Sequence, residues 1–272
     1  MKTAVIVWGL FILILSVPAQ AYQERREFSV GTAGIETLKI TCDAGNLIVT
    51  GNAGTTDILV KADIEIKAKN AEKALKFARE QIELQLLENG REAHLKSLIG
   101  KKDRYIRSAV VDLRVEVPAQ IHLDITDSSG SVVLHDLQGN LHLVDGSGSI
   151  EIENSRGNVD IDDGSGEIDI QQVQGELNVT DGSGDIRIEH LGGNAIIEDG
   201  SGGILADTVG GNLDIRDGSG HIEIRRIEGS VRLSDGSGSI DVREVGGDVV
   251  VNRDTSGSRL ISNVGGNIIQ AQ

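Results

Sequence analysis

The sequence predicts an all-β dominated protein, a parallel β-solenoid of about eight 18-residue coils with a small N-terminal α+β cap. Three observations point there. Asp-Gly-Ser-Gly recurs at 145, 163, 181, 199, 217 and 235, a constant spacing of 18 residues. Apolar residues fall at constant offsets inside each repeat, in alternating pairs that suit strands with one buried face. Aromatics are 2% of the chain while glycine numbers 35, so a core built on large rings is excluded.

The elements follow in chain order. Residues 1–21 read as a secretory signal peptide: Lys2, an apolar stretch from Ala4 to Val17, then Ala19 and Ala21 at the small-residue positions of a cleavage site. The apolar run is shorter than the roughly 20 residues that span a membrane, so no integral membrane span is expected. Residues 22–126 read as the cap module. Leu38-Lys-Ile40 and Leu47-Ile-Val49 flank Asp43-Ala-Gly45, a worn copy of one coil. Ile58, Val60, Ala62, Ile64 and Ile66 alternate as a longer strand. Asn70 is placed to cap a helix through about Gln81, with Ala71, Ala74, Leu75, Ala78 and Ile82 on one face. The strands Ile82–Leu86 and Glu92–Leu95 flank Asn89-Gly90, a hairpin turn pair. Leu113, Val115 and Val117 alternate before Pro118, and Ile121, Leu123 and Ile125 lead into the repeats. A basic run, Lys101, Lys102, Arg104 and Arg107, falls in an expected loop suited to an acidic surface.

Residues 127–272 form the repeat domain. Asp127-Ser-Ser-Gly130 is an early, degenerate copy of the motif, and Asp254-Thr-Ser-Gly257 a late one displaced by one inserted residue. With the leading Asp at offset zero, glycine occupies offsets 3 and 12, and apolar residues occupy 5, 7, 10, 14 and 16. In the repeat at Asp217 these are Ile222, Ile224, Ile227, Val231 and Leu233. Each repeat is thus strand, tight turn, strand, tight turn. Two short strands cannot bury their own apolar side chains, so identical units stack. Eight coils at about 4.8 Å per coil give a rod of roughly 38 Å. Ser155, Ala195 and Ala206 are weak core positions.

The order of these pieces resembles the bacterial putative-adhesin family of β-strand repeats, a domain of unknown function. The matching residues are Asp112-Leu-Arg-Val-Glu-Val-Pro118, Ile121-His-Leu-Asp-Ile125, Ser129-Gly-Ser-Val-Val-Leu134, Leu137-Gln-Gly139 and the repeated Ser-Gly-x-Ile-x-Ile, and the likeness covers roughly 28–272. The resemblance implies an exported β-solenoid, periplasmic or at the cell surface.

Charge narrows the function classes. Residues 127–272 carry 26 acidic residues against 9 arginines and no lysine, a net of −17, while 22–126 carries 16 of each sign. Such a surface repels nucleic acid and anionic lipid, and attracts basic parts of other molecules. The expected binding positions are Glu151, Glu153, Glu167, Asp169, Asp185 and Glu189, on one outer face and toward a positively charged envelope or extracellular component. The C-terminal coil, ending Ile268-Ile269-Gln-Ala-Gln272, has no proline or charge cluster to blunt its edge, so a homo-oligomer through it is a second expectation.

Catalytic readings are weaker. One cysteine, Cys42, excludes an intrachain disulfide or a cysteine metal cluster. The six histidines show no metal-ligand spacing. Eight equivalent turn serines without a unique His are a turn motif rather than a nucleophile elbow. Asp162, Asp163, Glu151 and Asp169 are an imaginable acid and base, and the alternative reading is a carbohydrate-active β-helix lyase or hydrolase using surface carboxylates. A groove with two or three non-repeated polar residues on adjacent coils favours that alternative. The repeat halves resemble the calcium-binding nonapeptide, but isoleucines stand where the ligand aspartates belong, as at Ile150 and Ile168. The leading aspartates sit at turn starts, where they cap backbone N–H groups. The expectation is a noncatalytic protein with no catalytic, cofactor or metal residues.

Overall fold

The computed structural model describes residues 21–254 and 257–270. The expected signal peptide, Ala21 apart, lies outside the described residues, as do the turn residues Thr255 and Ser256 and the terminal Ala271 and Gln272. Strands dominate, with one helix among the described residues, and the repeats form a parallel β-solenoid of about eight turns of roughly 18 residues. It divides into two compact units, one up to Gln138 and one from Gly139.

The first unit contains β1 (Ala21–Gly31), β2 (Thr37–Ala44), β3 (Leu47–Asn52), β4 (Asp57–Ala68), α1 (Ala71–Gln81), β5 (Ile82–Asn89), β6 (Glu92–Ile99), β7 (Ile106–Pro118), β8 (His122–Ser129) and β9 (Val132–His135). Two sheet segments result, β1-β4-β7-β3-β9 and β8-β2-β6-β5. The long alternating run became β4, with Ile58, Val60, Ala62, Ile64 and Ile66 all buried. It pairs antiparallel with β1 and β7. The worn coil is real, since β2 pairs parallel with β8 and β3 with β9. Its register differs from the sequence reading, because Cys42 rather than Asp43 stands opposite Asp127. Cys42 is buried, and Asp43 instead accepts a hydrogen bond from the Ile99 N–H at 2.6 Å.

Helix α1 begins where expected, with Asn70 Oδ1 accepting from the Lys73 N–H at 3.0 Å. Its buried residues are Ala74, Phe77 and Ala78. Ala71 is exposed, so the packed face is rotated toward Phe77 from the one expected. The β5–β6 hairpin pairs Asn89 with Glu92, so its two-residue loop is Gly90-Arg91. Gly90 supplies the positive φ of 66° that the tight turn needs. Of the basic run, Lys101, Lys102 and Arg104 lie in the loop before β7, but Arg107 belongs to β7 itself.

The second unit is built from β10 (Leu141–Asp145), β11 (Ile150–Ser155), β12 (Val159–Asp163), β13 (Ile168–Val173), β14 (Leu177–Asp181), β15 (Ile186–Leu191), β16 (Ala195–Asp199), β17 (Ile204–Val209), β18 (Leu213–Asp217), β19 (Gly220–Ile227), β20 (Val231–Asp235), β21 (Gly238–Val245), β22 (Val249–Asp254), β23 (Arg259–Val264) and β24 (Ile268–Gln270). Odd-numbered strands from β11 to β23 stack in one parallel sheet, even-numbered strands from β10 to β24 in the other. Each residue pairs with the one 18 positions on, as Ile150 with Ile168 and Val159 with Leu177. The inserted residue shows as a register shift between Leu233 and Ser234 opposite β22.

The five expected inward offsets are buried in every full coil of this unit. Ser155, Ala195 and Ala206 are fully covered despite their small size, and the Ser155 hydroxyl finds no partner in the interior. The last coil differs: Ile268, at an inward offset, is 48% exposed, Ile269 next to it 50%, and Leu260 on the other sheet 51%.

Glycine at offset 3 is a steric requirement. A Cβ on Gly184 would lie 1.6 Å from the Gly166 carbonyl oxygen, at a φ of 151°. The corner at offset 9 is turned without glycine. Asn154, Gln172, His190, Thr208, Arg226 and Glu244 all take φ between 54° and 61°. Each is skipped by the ladder on both strands, as Asn154 is between Glu153 and Ser155 and Gln172 between Gln171 and Val173, so the strand bends there with its register kept. Offset 13 is an amide ladder: Asn158 N–H donates to Asn140 Oδ1 at 3.0 Å, and Asn212 N–H to Asn194 Oδ1 at 2.8 Å.

Candidate functional site

Offset zero gives a sixth inward position. Asp145, Asp163, Asp181, Asp199, Asp217 and Asp235 are all buried, none more than 7% exposed. They stand in direct register on consecutive coils. One carboxylate oxygen of each caps its own turn, accepting from the serine N–H two residues on. The distances run from 3.3 Å at Ser165 to 2.9 Å at Ser237. Turn capping was expected; immersion in the interior was not. The second oxygens of Asp163, Asp181, Asp199 and Asp217 are buried without a hydrogen-bond partner.

This placement shifts the acids. Burial pushes Asp163 up to about 6, helped by the carboxylates of Asp145 and Asp181. Burial also raises Asp199 and Asp217 to about 6, with Asp181 and Asp199 as the respective charged neighbours. Asp181 is raised by burial, against the N–H groups of Ser183 and Gly182. The column is therefore an internal set of weak acids. Among the described residues no three of His, Cys, Asp and Glu are grouped to hold a metal ion.

The outer surface sorts its charge along the coils. Glu151 stands opposite Asp169, which stands opposite Arg187; Glu153 stands opposite Gln171, and Gln171 opposite Glu189. Glu167 and Asp185 immediately precede β13 and β15. The six expected binding residues thus fall on the outer side of one sheet. Arginines enter from Arg187 onward and neutralise their neighbourhood. Arg187 pairs with Glu189 at 2.5 Å, Arg232 with Asp214 at 3.4 Å, and Arg216, Arg225, Arg226 and Arg243 pair with Glu198, Glu223, Asp207 and Asp241. The stretch 145–180 has nine acidic residues and a single base, Arg156. That contrast was legible in the positions of the nine arginines, eight of which follow residue 186.

The imagined acid and base do not converge. Asp163 faces the interior and its neighbour Asp162 the outside of the even-strand sheet, while Glu151 and Asp169 lie on the odd-strand sheet. A feature the sequence reading missed is a shallow groove of about 490 Å³ along the corner at offset 9. Asn154, Gln172, Gln174, His190 and Thr208 surround Val173 and Leu191 there. These are non-repeated polar residues on adjacent coils, and no carboxylate lines them. Side-chain chemistry varies freely at offset 9 because only the backbone is constrained, which is why no motif marked it.

No protein-family model matches the chain, and no curated protein matches it. Solved structures do. A putative adhesin from Bacteroides fragilis shares 17% identity over 92% of this chain and 97% of that one, with a TM-score of 0.38. A putative lipid binding protein from Parabacteroides distasonis shares 14% over 92% and 97%, with a TM-score of 0.48. A putative cell adhesion protein from Clostridium sporogenes shares 11% over 92% and 100%, with a TM-score of 0.29. The solved structures similar to this chain thus include putative adhesins, as the strand-entry and repeat motifs led us to expect.

Proposed function

We propose that this protein is a noncatalytic, exported, acidic β-solenoid that serves as an adhesin-like or structural element of the cell envelope or surface. The observation that supports this most is the segregation of charge. Seven of the nine carboxylates of residues 145–180 face outward with one arginine, Arg156, among them, while residues 181–272 set eight arginines against fifteen acids. A surface of this kind binds through charge rather than shape, so the partner is a positively charged envelope or extracellular component. Glu151, Glu153, Glu167, Asp169, Asp185 and Glu189 supply the contacts. The exposed Ile268 and Ile269 supply a second, apolar contact, through which the last coil meets another copy.

The test is to localise the protein, capture its partners from native envelope, and repeat the capture with Glu151→Lys and Glu167→Lys combined. Partners retained by the charge-reversed protein, or retained equally at 20 and 300 mM salt, defeat the reading.

One observation favours the carbohydrate-active alternative: the polar groove at Asn154, Gln172, His190 and Thr208 meets the criterion of non-repeated residues on adjacent coils. Glycoside hydrolysis needs two carboxylates across the scissile bond, and the groove lining has none. The groove suits contact with neutral hydroxylated ligands better than their cleavage. Release of reducing ends or unsaturated products from envelope polysaccharides by the pure protein would reinstate the enzyme.

A further inference from the structure

The first unit gathers cations where nothing in the fold asks for them. The loop before β7 is folded by Asp103, whose side chain accepts from the Tyr105 N–H at 2.8 Å and whose carbonyl accepts from the Ile106 N–H at 3.1 Å. The loop is tied to the entry of α1 by the Lys69 N–H, which donates to the Tyr105 carbonyl at 2.8 Å. This brings three cations onto one ring. Lys69 Nζ, Lys73 Nζ and the Arg104 guanidinium lie 5.8, 5.2 and 4.9 Å from the Tyr105 centroid. Lys101 and Lys102 extend from the same loop and are exposed. Among the described residues none of these five cations forms an ion pair, although Lys76 on the same helix pairs with Glu80 at 3.9 Å. Like charges held on one ring repel one another, and cation–π attraction at an exposed site offsets only part of that. An anionic surface placed over the cluster relieves the repulsion.

The chain carries such a surface itself, the arginine-poor coils 145–180, where Glu151 and Asp169 stand in register and Glu167 leads into the next strand. We infer that the cation cluster around Tyr105 docks onto the acidic face of coils 145–180 of a second copy, through Glu151, Glu167 and Asp169. The inference rests in part on the proposed role of those coils as a binding face. Because the two patches differ, copies can pair reciprocally, each cluster on the other's coils, or add head to tail.

The experiment is sedimentation velocity of the mature full-length protein at 20 and 300 mM NaCl. Three forms are compared: the parent, a Lys101→Glu/Lys102→Glu/Arg104→Glu variant, and a Glu151→Lys/Glu167→Lys variant, with far-UV circular dichroism as a fold check. The parent forms dimers or larger species at 20 mM, and its association weakens at least about tenfold at 300 mM as the charges are screened. Each variant alone loses association, and an equimolar mixture of the two regains it because both contacts then pair opposite signs. If the triple variant fails to fold, Lys101→Glu/Lys102→Glu, changed only at exposed loop positions, replaces it. A parent that stays monomeric at 20 mM overturns the inference. So does either variant that associates like the parent, or a mixture that stays monomeric. A cluster that captures heparin while self-association is absent marks a polyanion site instead and also overturns it. Retention of envelope partners by Glu151→Lys/Glu167→Lys strikes the proposed function alone and leaves this inference standing.

Discussion

Replacing one buried aspartate with its amide should stabilise the solenoid more at neutral pH than at acidic pH. Asp199 is the best site. Its first oxygen accepts from the Ser201 N–H at 3.0 Å, and the amide oxygen of Asp199→Asn can accept the same bond. Its second oxygen is buried without a partner. Asp181 and Asp217 stand in register on either side, so the new amide N–H₂ gains acceptors where the parent had only like charge. A rise from 3.8 to about 6 is worth about 3 kcal/mol of difference between the protonated and ionised forms. The residue is 6% exposed, so solvent screening removes little of it.

The sign follows from linkage. The folded state holds its proton to higher pH than the unfolded chain, so this stability is complete below pH 4 or so and is lost as pH rises through about 6. Between pH 4.5 and 7.5 the parent should lose about 2 kcal/mol at this residue. Neighbouring carboxylates share their repulsion, so the column as a whole loses less than a simple multiple. Glu24 and Asp63 act oppositely. Their pKa values are lowered, so their contribution is present at neutral pH and fades only in stronger acid. The assay is guanidinium unfolding of parent and Asp199→Asn at both pH values and equal ionic strength. The variant should gain up to about 3 kcal/mol at pH 7.5 and about 2 kcal/mol less than that at pH 4.5. An Asp199→Ala control loses the turn bond and should be weaker than Asp199→Asn at both. A variant less stable than the parent at pH 7.5, or an unchanged pH dependence, would refute the argument.

Other outcomes follow from the same geometry. Gly184→Ala should destabilise by more than about 3 kcal/mol, because its Cβ meets a carbonyl oxygen at 1.6 Å, whereas Gly34→Ala, with nothing within 4 Å, should cost only about 1 kcal/mol for its positive φ; comparable melting curves for the two would contradict this. Ile188→Ala, at a fully buried position, should cost about 2–5 kcal/mol through the cavity it leaves, read from chemical denaturation. Ile268→Asp with Ile269→Asp should abolish any salt-insensitive self-association while leaving the melting temperature nearly unchanged, since both side chains are half exposed; light scattering at high salt checks this. EDTA and millimolar calcium should leave the melting temperature unchanged at fixed ionic strength, and a calcium-dependent rise lost on replacing the column aspartates would reverse the metal-free reading.

The solenoid was legible because burial permits few residue types. Offsets 5, 7, 10, 14 and 16 are aliphatic in nearly every coil, so Ile150, Ile152, Val159 and Ile161 announce both the strands and their inner face. Asp at offset zero defeated the same logic. An aspartate between a strand and Gly-Ser-Gly has the signature of an exposed cap, and the bond to the serine N–H is identical whether the carboxylate faces water or the interior. Only its alternation with the inward positions, as in Leu177, Val179 and Asp181, hints at the true side. The corner at offset 9 left no trace because Gln172, His190, Thr208 and Arg226 share a backbone angle and no side-chain property. In α1 the helical spacing was read from Ala71, yet Phe77 supplies the bulk that decides which face packs. The charge segregation was visible in the sequence, but only the ion pairs show which carboxylates the arginines silence.

The aspartate column also bears on how the protein ages. Each of its six members precedes glycine, the neighbour whose amide nitrogen is least hindered from attacking the aspartate side chain to form a cyclic imide that reopens largely as isoaspartate. In the coil that nitrogen, although close to its own carboxylate, is held by the preceding coil: Gly164 N–H donates to the Asp145 carbonyl, Gly182 to Asp163, Gly200 to Asp181 and Gly218 to Asp199, each at 3.0 Å. The stack therefore shields the backbone junctions most prone to spontaneous rearrangement, and unfolding exposes all of them together. A chain left unfolded accumulates kinked, lengthened backbone at the turns, where a coil of fixed register has no room for an extra methylene. Time spent unfolded is thus recorded covalently, and refolding yield should fall with that time in step with isoaspartate content.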